Sequence, residues 1–527
     1  MSWLVAVAVA VGRRWCRSLA LAGAILGATA ADATAAESPE AAGDPAAFEA
    51  VPCWAPDSAT ASVRCGYLSV PESRERPNGR SIRVAVAILT PADAPAGALP
   101  SPLVHLAGGP GFPTGLSGDL FAYLRDWYAS WPGARDRTLI LVDQRGTGES
   151  EPRLQCDPRT SDRAMRAYYG AAVPRDPVEH AEWWRRHLAD CRAPFDAAGI
   201  DVTAYNTVEN AADFVALRQA LGITRWDVWG ASYGTELALE LLRIDEAGIR
   251  SLILDSVSLY QHPDIVSGNV AAAFDRALTQ VFRDCLLDQA CRNHFYGLST
   301  GLGRGLAWLN MIPETLTLAG GHPWDGMPFV LDGRRMVELL FFWMYAPQAV
   351  PFIPAIVSAL HVREHEQAEQ LANYMFAMFS MLPVSELVQI STQCRAAPRG
   401  EALERLRDQE GRYPNYAVLW VAELYRAVCP GWQSAAADPA ELGPVRSDVP
   451  ALILGGRYDP VTPPEWGRIV AEWLPSSTLI EFPHLAHGSV GLDPCADRIA
   501  ANFLDRPAED PQDACFAGLS PPKFLLP

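Results

Sequence analysis

Ser232 lies in Gly230-Ala231-Ser232-Tyr233-Gly234, with a glycine two residues away on each side. A serine hydroxyl becomes a nucleophile when a base takes its proton and the chain holds it clear of its own backbone. The G-x-S-x-G spacing meets the second need when a strand runs into it and a helix leaves it. The turn is then so tight that bulky residues at the glycines would clash, and the serine is pushed outward. Trp226 to Trp229 reads as a strand and Thr235 to Ile244 as a helix, so that context is present. The plain alternative is a solvated serine in a glycine-lined turn, and the flanking elements weigh against it.

Acyl transfer also needs an oxyanion hole, a base and an acid. His105-Leu106-Ala107-Gly108-Gly109-Pro110-Gly111 follows an earlier strand. Its Gly109 N–H and the Tyr233 N–H are the expected oxyanion donors. A plain Gly/Pro turn is the competing account of that loop, and its place ahead of the serine motif decides against it. The acid and base are expected after the serine, in the order Asp then His. Asp459 occurs in Gly455-Gly456-Arg457-Tyr458-Asp459-Pro460-Val461-Thr462-Pro463, just beyond another strand, and Asp255 is its rival. His487 is the expected base, favoured over His484 because Gly488 permits the tight turn that aims the ring. His361-Val362-Arg363-Glu364-His365 matches a zinc-peptidase pattern, but no third ligand is evident and charged residues crowd it. No C-x-x-C spacing occurs. No cofactor and no metal are expected.

These residues must be positioned by a sheet. Short apolar runs alternate with helical patterns, which predicts a mostly parallel α/β sheet with helices on both faces. Eight strands are expected: Gly66 to Pro71, Ser81 to Leu89, Pro102 to Leu106, Thr138 to Val142, Trp226 to Trp229, Ser251 to Leu254, Ala451 to Leu454 and Thr478 to Phe482. Helices are expected over Val208 to Leu221, Thr235 to Ile244 and Pro464 to Trp473. From about residue 256 to 449 the rhythm breaks into largely helical segments. That stretch is read as a cap inserted into a sheet domain made of residues 51–255 and 450–527.

Residues 1–35 read as an export signal, with Arg13, Arg14 and Arg17 ahead of an apolar run that is short for a membrane span. Residues 36–50 read as a disordered linker. Cys16 lies in the leader, and the other ten cysteines form an even set of sequential couples, as suits an oxidising compartment. Short loops close at the least entropic cost, which makes neighbour pairing the default. The chain has 527 residues and a formal charge of −18, which disfavours nucleic acid or an anionic membrane as partner. A secreted or periplasmic protein without stable membrane association is expected.

Three segments resemble those of proline iminopeptidases and secreted tripeptidyl aminopeptidases. They are Gly108-Gly109-Pro110-Gly111, Asp143-Gln144-Arg145-Gly146-Thr147-Gly148-Glu149-Ser150 and Gly230-Ala231-Ser232-Tyr233-Gly234-Thr235. The region from about Cys394 to Cys515 is similar to the TAP-like C-terminal part of the tripeptidyl aminopeptidase group. The chain departs from the pattern at Leu106-Ala107, where many relatives are more polar or glycine-rich, and at Ala231, often glycine. The resemblance implies the α/β-hydrolase fold with an inserted, mainly helical cap. It also implies release of short peptides from a free N-terminus, with a small peptide as partner. The substrate ammonium would then need a carboxylate, usually from the cap. Asp264, Glu338, Glu364 and Glu386 are candidates, among which the sequence does not choose. The same triad would serve an esterase or lactonase on small apolar esters. A binding protein on a retained scaffold would lack a triad member, and none is missing.

Overall fold

The computed structural model describes residues 47–54, 61–91, 100–134, 136–171, 176–259, 269–362, 366–381 and 384–526. The expected signal, most of the linker, Asp264 and Glu364 lie outside the described residues. So do Arg363 to His365 of the zinc-like pattern.

Eleven strands run along the described chain. They are β1 (Phe48–Val51), β2 (Ala61–Pro71), β3 (Ser81–Pro91), β4 (Leu103–Leu106), β5 (Leu139–Asp143), β6 (Trp226–Ala231), β7 (Ile249–Asp255), β8 (Glu314–Thr317), β9 (Pro328–Leu331), β10 (Ala451–Gly456) and β11 (Ser477–Phe482). Nine of them form one sheet in the order β1-β2-β3-β5-β4-β6-β7-β10-β11, and β8 and β9 form a separate hairpin. The pairings from β5 through to β11 are parallel, while β1, β2 and β3 are joined antiparallel and β3 meets β5 antiparallel.

The sheet therefore has nine strands rather than the expected eight. The ninth, β1, is only four residues long and falls in acidic, alanine-rich sequence that reads as linker. Its partner β2 supplies the order that its own sequence does not signal, with Phe48 opposite Leu68. Six of the eight expected strands lie within strands of the sheet, the other two begin one residue early at Pro102 and Thr138, and the three expected helices form at Thr207–Ala220, Tyr233–Asp245 and Pro464–Trp473.

Alternation along the strands divides the core into two layers. Val84, Val86, Ile88, Leu252 and Leu254 pack on one side, under the helices Thr207–Ala220, Tyr233–Asp245 and Pro464–Trp473. Ala85, Ala87, Leu89, Ile253 and Leu452 pack on the other, against Phe121 and Leu124 of the helix Gly118–Ser130 and Ile499 and Phe503 of the helix Pro494–Asp505. Helices between β7 and β10 build a further core around Phe274, Leu306, Met336, Leu340 and Phe376, which Tyr168 and Tyr169 join. The later helices of that stretch, Glu386–Ala396 and Ala422–Trp432, return to the sheet: Leu387, Val388, Cys394, Val428 and Trp432 belong to its first layer.

Five disulfides join the sequential couples: Cys53–Cys65, Cys156–Cys191, Cys285–Cys291, Cys394–Cys429 and Cys495–Cys515. Among the described residues, no helix is long and apolar enough to cross a membrane.

Candidate active site

The register sets where the site residues emerge. Leu106 pairs with Gly230, Ala231 with Asp255, Asp255 with Leu454, and Gly456 with Phe482. The loops after β4, β6, β7, β10 and β11 consequently leave one edge of the sheet side by side. In an open parallel sheet that edge is where ligands bind.

β6 ends at Ala231, and the helix Tyr233–Asp245 starts two residues later. Ser232 alone makes the turn, at φ 56° and ψ −125°, a conformation that costs free energy outside glycine. A Cβ at Gly230 would fall 2.3 Å from the Gly234 carbonyl oxygen. One at Gly234 would fall within about 2 Å of the Leu106 oxygen. The two glycines therefore let the turn close on itself and on the end of β4. The Ser232 N–H donates to the Asp255 carbonyl at 2.9 Å, and its own carbonyl accepts from Thr235 N–H at 2.8 Å.

The loop after β4 lies against this serine. A Cβ on Gly108 would approach Ser232 Cβ to 3.1 Å, whereas one on Gly109 would meet the backbone of its own loop at Gly111 and Phe112. Gly109 has φ 123°, and the Gly109–Pro110 peptide is cis. The loop is fastened further on. Asp143 Oδ1 accepts the N–H groups of Thr114 at 2.7 Å and Gly115 at 3.2 Å, and its Oδ2 accepts Glu149 N–H at 2.8 Å. Burial pushes the Asp143 carboxyl up to about 6 despite these donors. Arg145, fully buried, forms a bidentate pair with Asp213 at 2.7 Å and donates to the carbonyls of Glu72 and Ala204. The Asp-Gln-Arg run thus holds structure behind the loop.

Asp459 follows β10 and is fully buried. Its Oδ1 accepts the Val461 and Thr462 N–H groups at 2.9 and 2.8 Å, and its Oδ2 accepts the Thr462 hydroxyl at 2.7 Å. His487 Nδ1 lies 2.8 Å from the same Oδ2 and 3.0 Å from Thr462 Oγ1. A carboxylate accepts here, so Nδ1 carries the proton and Nε2 is bare. Nε2 is buried with no hydrogen-bond partner. Arg276, from the helix Val270–Leu287, donates to the Asp459 and Arg457 carbonyls at 2.9 and 3.1 Å. Asp284 of that helix accepts from Arg457 at 2.9 Å and from Tyr458 Oη at 2.7 Å.

The His487 loop is held by its backbone. His487 N–H donates to the Tyr345 carbonyl at 3.3 Å, Gly488 to Ser256 Oγ at 2.8 Å, Ser489 and Val490 to Asp255 Oδ2 at 3.0 and 2.9 Å, and Gly491 to Asp497 Oδ1 at 2.7 Å. The Tyr345 ring meets the imidazole edge to face, 5.0 Å between centroids. Burial pushes the Asp255 carboxyl up, and the Val490 and Ser489 N–H groups pull it back. Asp255-Ser256 therefore receives both the serine turn and the histidine loop. The rival groups are engaged elsewhere: Asp255 holds loop backbone, and His484 Nε2 bonds Asp493 at 2.9 Å.

Five contributors escaped the sequence reading: Thr462, Tyr345, Arg276, Asp284 and Asp497. Thr462 carried a usable signal, because Asp-Pro-Val-Thr is a turn in which the aspartate caps the N–H groups that follow. The others act through tertiary contact and had none. Among the described residues, the group with metal-ligand reach is Cys156, Cys191 and Glu386. The two sulfurs are bonded to each other, so they offer no thiolate.

Comparison with known proteins agrees with this fold. The family model described as "alpha/beta hydrolase fold" matches residues 102–293, and the one described as "TAP-like protein" matches residues 416–515. A tripeptidyl aminopeptidase of Streptomyces lividans is 28% identical over 197 residues, which are 37% of this chain and 35% of that protein. The serine protease Hip1 of Mycobacterium tuberculosis is 28% identical over 232 residues, 43% of this chain and 42% of that one. A protein named carboxylesterase B, also of Mycobacterium tuberculosis, is 31% identical over 233 residues, 44% of this chain and 43% of that one. The chain spans less than half the length of each of these relatives. With the strand order and the tight turn at Ser232, these matches show that the chain has the α/β-hydrolase fold, with a C-terminal region similar to the TAP-like family.

Proposed function

We propose that this chain is an exported serine exopeptidase that releases short peptides from a free N-terminus. Ser232 is its nucleophile, His487 its base and Asp459 its acid. One observation carries the proposal: His487 is bonded to Asp459 through Nδ1, its Nε2 is bare, and its loop is tied to the same dipeptide, Asp255-Ser256, that anchors the Ser232 turn.

In this mechanism Nε2 takes the Ser232 proton as Oγ attacks the scissile carbonyl. Asp459 holds the ring in the right tautomer and stabilises the imidazolium. The Tyr233 and Gly109 N–H groups receive the oxyanion. The imidazolium then protonates the leaving amine, and water, activated by the same Nε2, releases the acyl group from Ser232.

The relatives named as a tripeptidyl aminopeptidase and a serine protease support a peptide substrate. An aminopeptidase must also neutralise an ammonium. Of the candidate carboxylates that are described, Glu386 is engaged by His187 at 2.7 Å. Glu338 accepts the Tyr169 hydroxyl on one oxygen, while its other oxygen is buried without a hydrogen-bond partner. Burial raises the Glu338 carboxyl, and an ammonium beside it would favour its charged form. Glu338→Gln is the first substitution to test. Five disulfides support export.

The test compares unblocked and N-acetylated peptide amides, alongside fluorophosphonate labelling of wild type and Ser232→Ala. Labelling that needs Ser232, with hydrolysis of unblocked peptides only, is the expected result. Equal rates on both peptides remove the aminopeptidase reading. Activity on esters alone favours the second reading, an esterase on small apolar substrates, which the carboxylesterase-named relative supports.

A further inference from the structure

The two expected oxyanion donors sit on different elements. One is on the loop after β4 and the other opens the helix after β6. Strand pairing aligns the ends of β4 and β6, but beyond them something else must hold the loop at a fixed distance from Tyr233. A line of buried polar side chains runs between them.

Gln144 follows β5 and donates from Nε2 to the Ala107 carbonyl at 2.8 Å, just ahead of Gly108 and Gly109. Asn210, in the helix Thr207–Ala220, donates from Nδ2 to Gln144 Oε1 at 3.3 Å. The Tyr233 hydroxyl lies 3.1 Å from Oγ1 of Thr207, which opens the same helix three residues before Asn210. Gln144, Asn210 and Tyr233 are 2%, 1% and 3% exposed. Asn210 Oδ1 is buried with no partner, so the amide is not there to satisfy its own hydrogen bonds. Apolar side chains of the same shape would fill this space but leave the Ala107 carbonyl without its Gln144 donor. What they would not do is join Ala107 to Tyr233.

We infer that Gln144 and Asn210 are positioning residues that lock the loop after β4 to Tyr233 and so hold the two oxyanion donors at a fixed separation. The inference rests on the serine-hydrolase reading above. Asp143, the neighbour of Gln144, pins the far end of the same loop at Thr114 and Gly115, so consecutive residues grip it on both sides. A preorganised hole stabilises the oxyanion because its donors need not move when charge develops. Slack between the donors therefore lowers the rate of the chemical step and leaves ground-state binding alone.

The test uses Gln144→Met, Asn210→Leu, Tyr233→Phe and the double variant of Gln144 and Tyr233. Tyr233→Phe removes one oxygen and keeps the backbone N–H. Two quantities are read: the rate of labelling by a fluorophosphonate, and kcat and KM on p-nitrophenyl acetate. Each single variant is expected to lower the labelling rate and kcat about tenfold with KM unchanged. The double variant is expected to be no slower than the slower single one, because both cuts break one line. If Gln144→Met does not fold, Asn210→Leu and Tyr233→Phe decide the matter. A folded Tyr233→Phe within about twofold of wild type, or effects that multiply in the double variant, overturns the inference. A folded wild type that does not label overturns the serine-hydrolase reading itself, whereas labelling that ignores these variants overturns the inference alone.

Discussion

His487 meets Asp459 through Nδ1 at 2.8 Å, and its Nε2 is buried without a hydrogen-bond partner. This arrangement fixes which nitrogen is free to take a proton, and it separates Asp459 from Asp255, the other buried carboxylate near the ring.

Asp459→Asn should leave the fold intact and slow fluorophosphonate labelling by about 10³-fold or more, since an amide no longer enforces the tautomer. Asp255→Asn should cost about tenfold, because the change loosens the backbone anchor at Ser489 and Val490 rather than the ring itself. Labelling rates of the two variants, with circular dichroism to monitor folding, check this. A more severe effect at Asp255 would reverse the assignment of the acid.

Burial pushes the Asp497 carboxyl up to about 7, partly offset by the Gly491 N–H. In the unfolded chain it is an ordinary carboxyl, so between about pH 4 and pH 7 the folded chain holds the extra proton. The stability this contributes is complete below about pH 4 and is lost as the pH rises through about 7. Asn stays neutral throughout. The melting temperature of Asp497→Asn relative to wild type should therefore climb by about 2 °C or more from about pH 5 to about pH 8. Scanning calorimetry across that range is the check, and a flat difference refutes the expectation.

Gly234→Ala should destabilise the fold by about 3 kcal/mol or more, because its new Cβ would collide with the backbone oxygen of Leu106 in a core strand. Denaturant unfolding measures it. A midpoint equal to that of wild type would mean that β4 and the serine turn are farther apart than described.

The Cys394–Cys429 disulfide joins the helices Glu386–Ala396 and Ala422–Trp432, both of which pack on the sheet. Replacing both cysteines with serine should cost about 2–4 kcal/mol, since the reduced unfolded chain regains the freedom of the closed loop. Thermal unfolding of the double variant reads this directly, and an unchanged melting temperature would contradict it.

The sheet was legible because each buried strand is a compact apolar run, and the serine turn because its glycines are sterically required. Asp459 and His487 could be named together because chain order and strand ends constrain them, and the two side chains meet at 2.8 Å. β1 was not legible, since four residues of ordinary composition become a strand only through β2. The grips on the site were also hidden. Arg276 and Asp284 come from a helix and Tyr345 from a turn, all distant in sequence from Asp459 and His487, and their sequence neighbourhoods resemble any buried or amphipathic segment. Gln144 was visible as part of a distinctive run, but its bond to Ala107 depends on how β4 and β5 sit together.

Arg276 and Asp284 fasten the helix Val270–Leu287 to the backbone and side chains of the segment that presents Asp459. Any breathing motion that lifts this helix must first let go of the acid. In the proposed mechanism, the seating of this helix and the aim of the imidazole are thus a single condition.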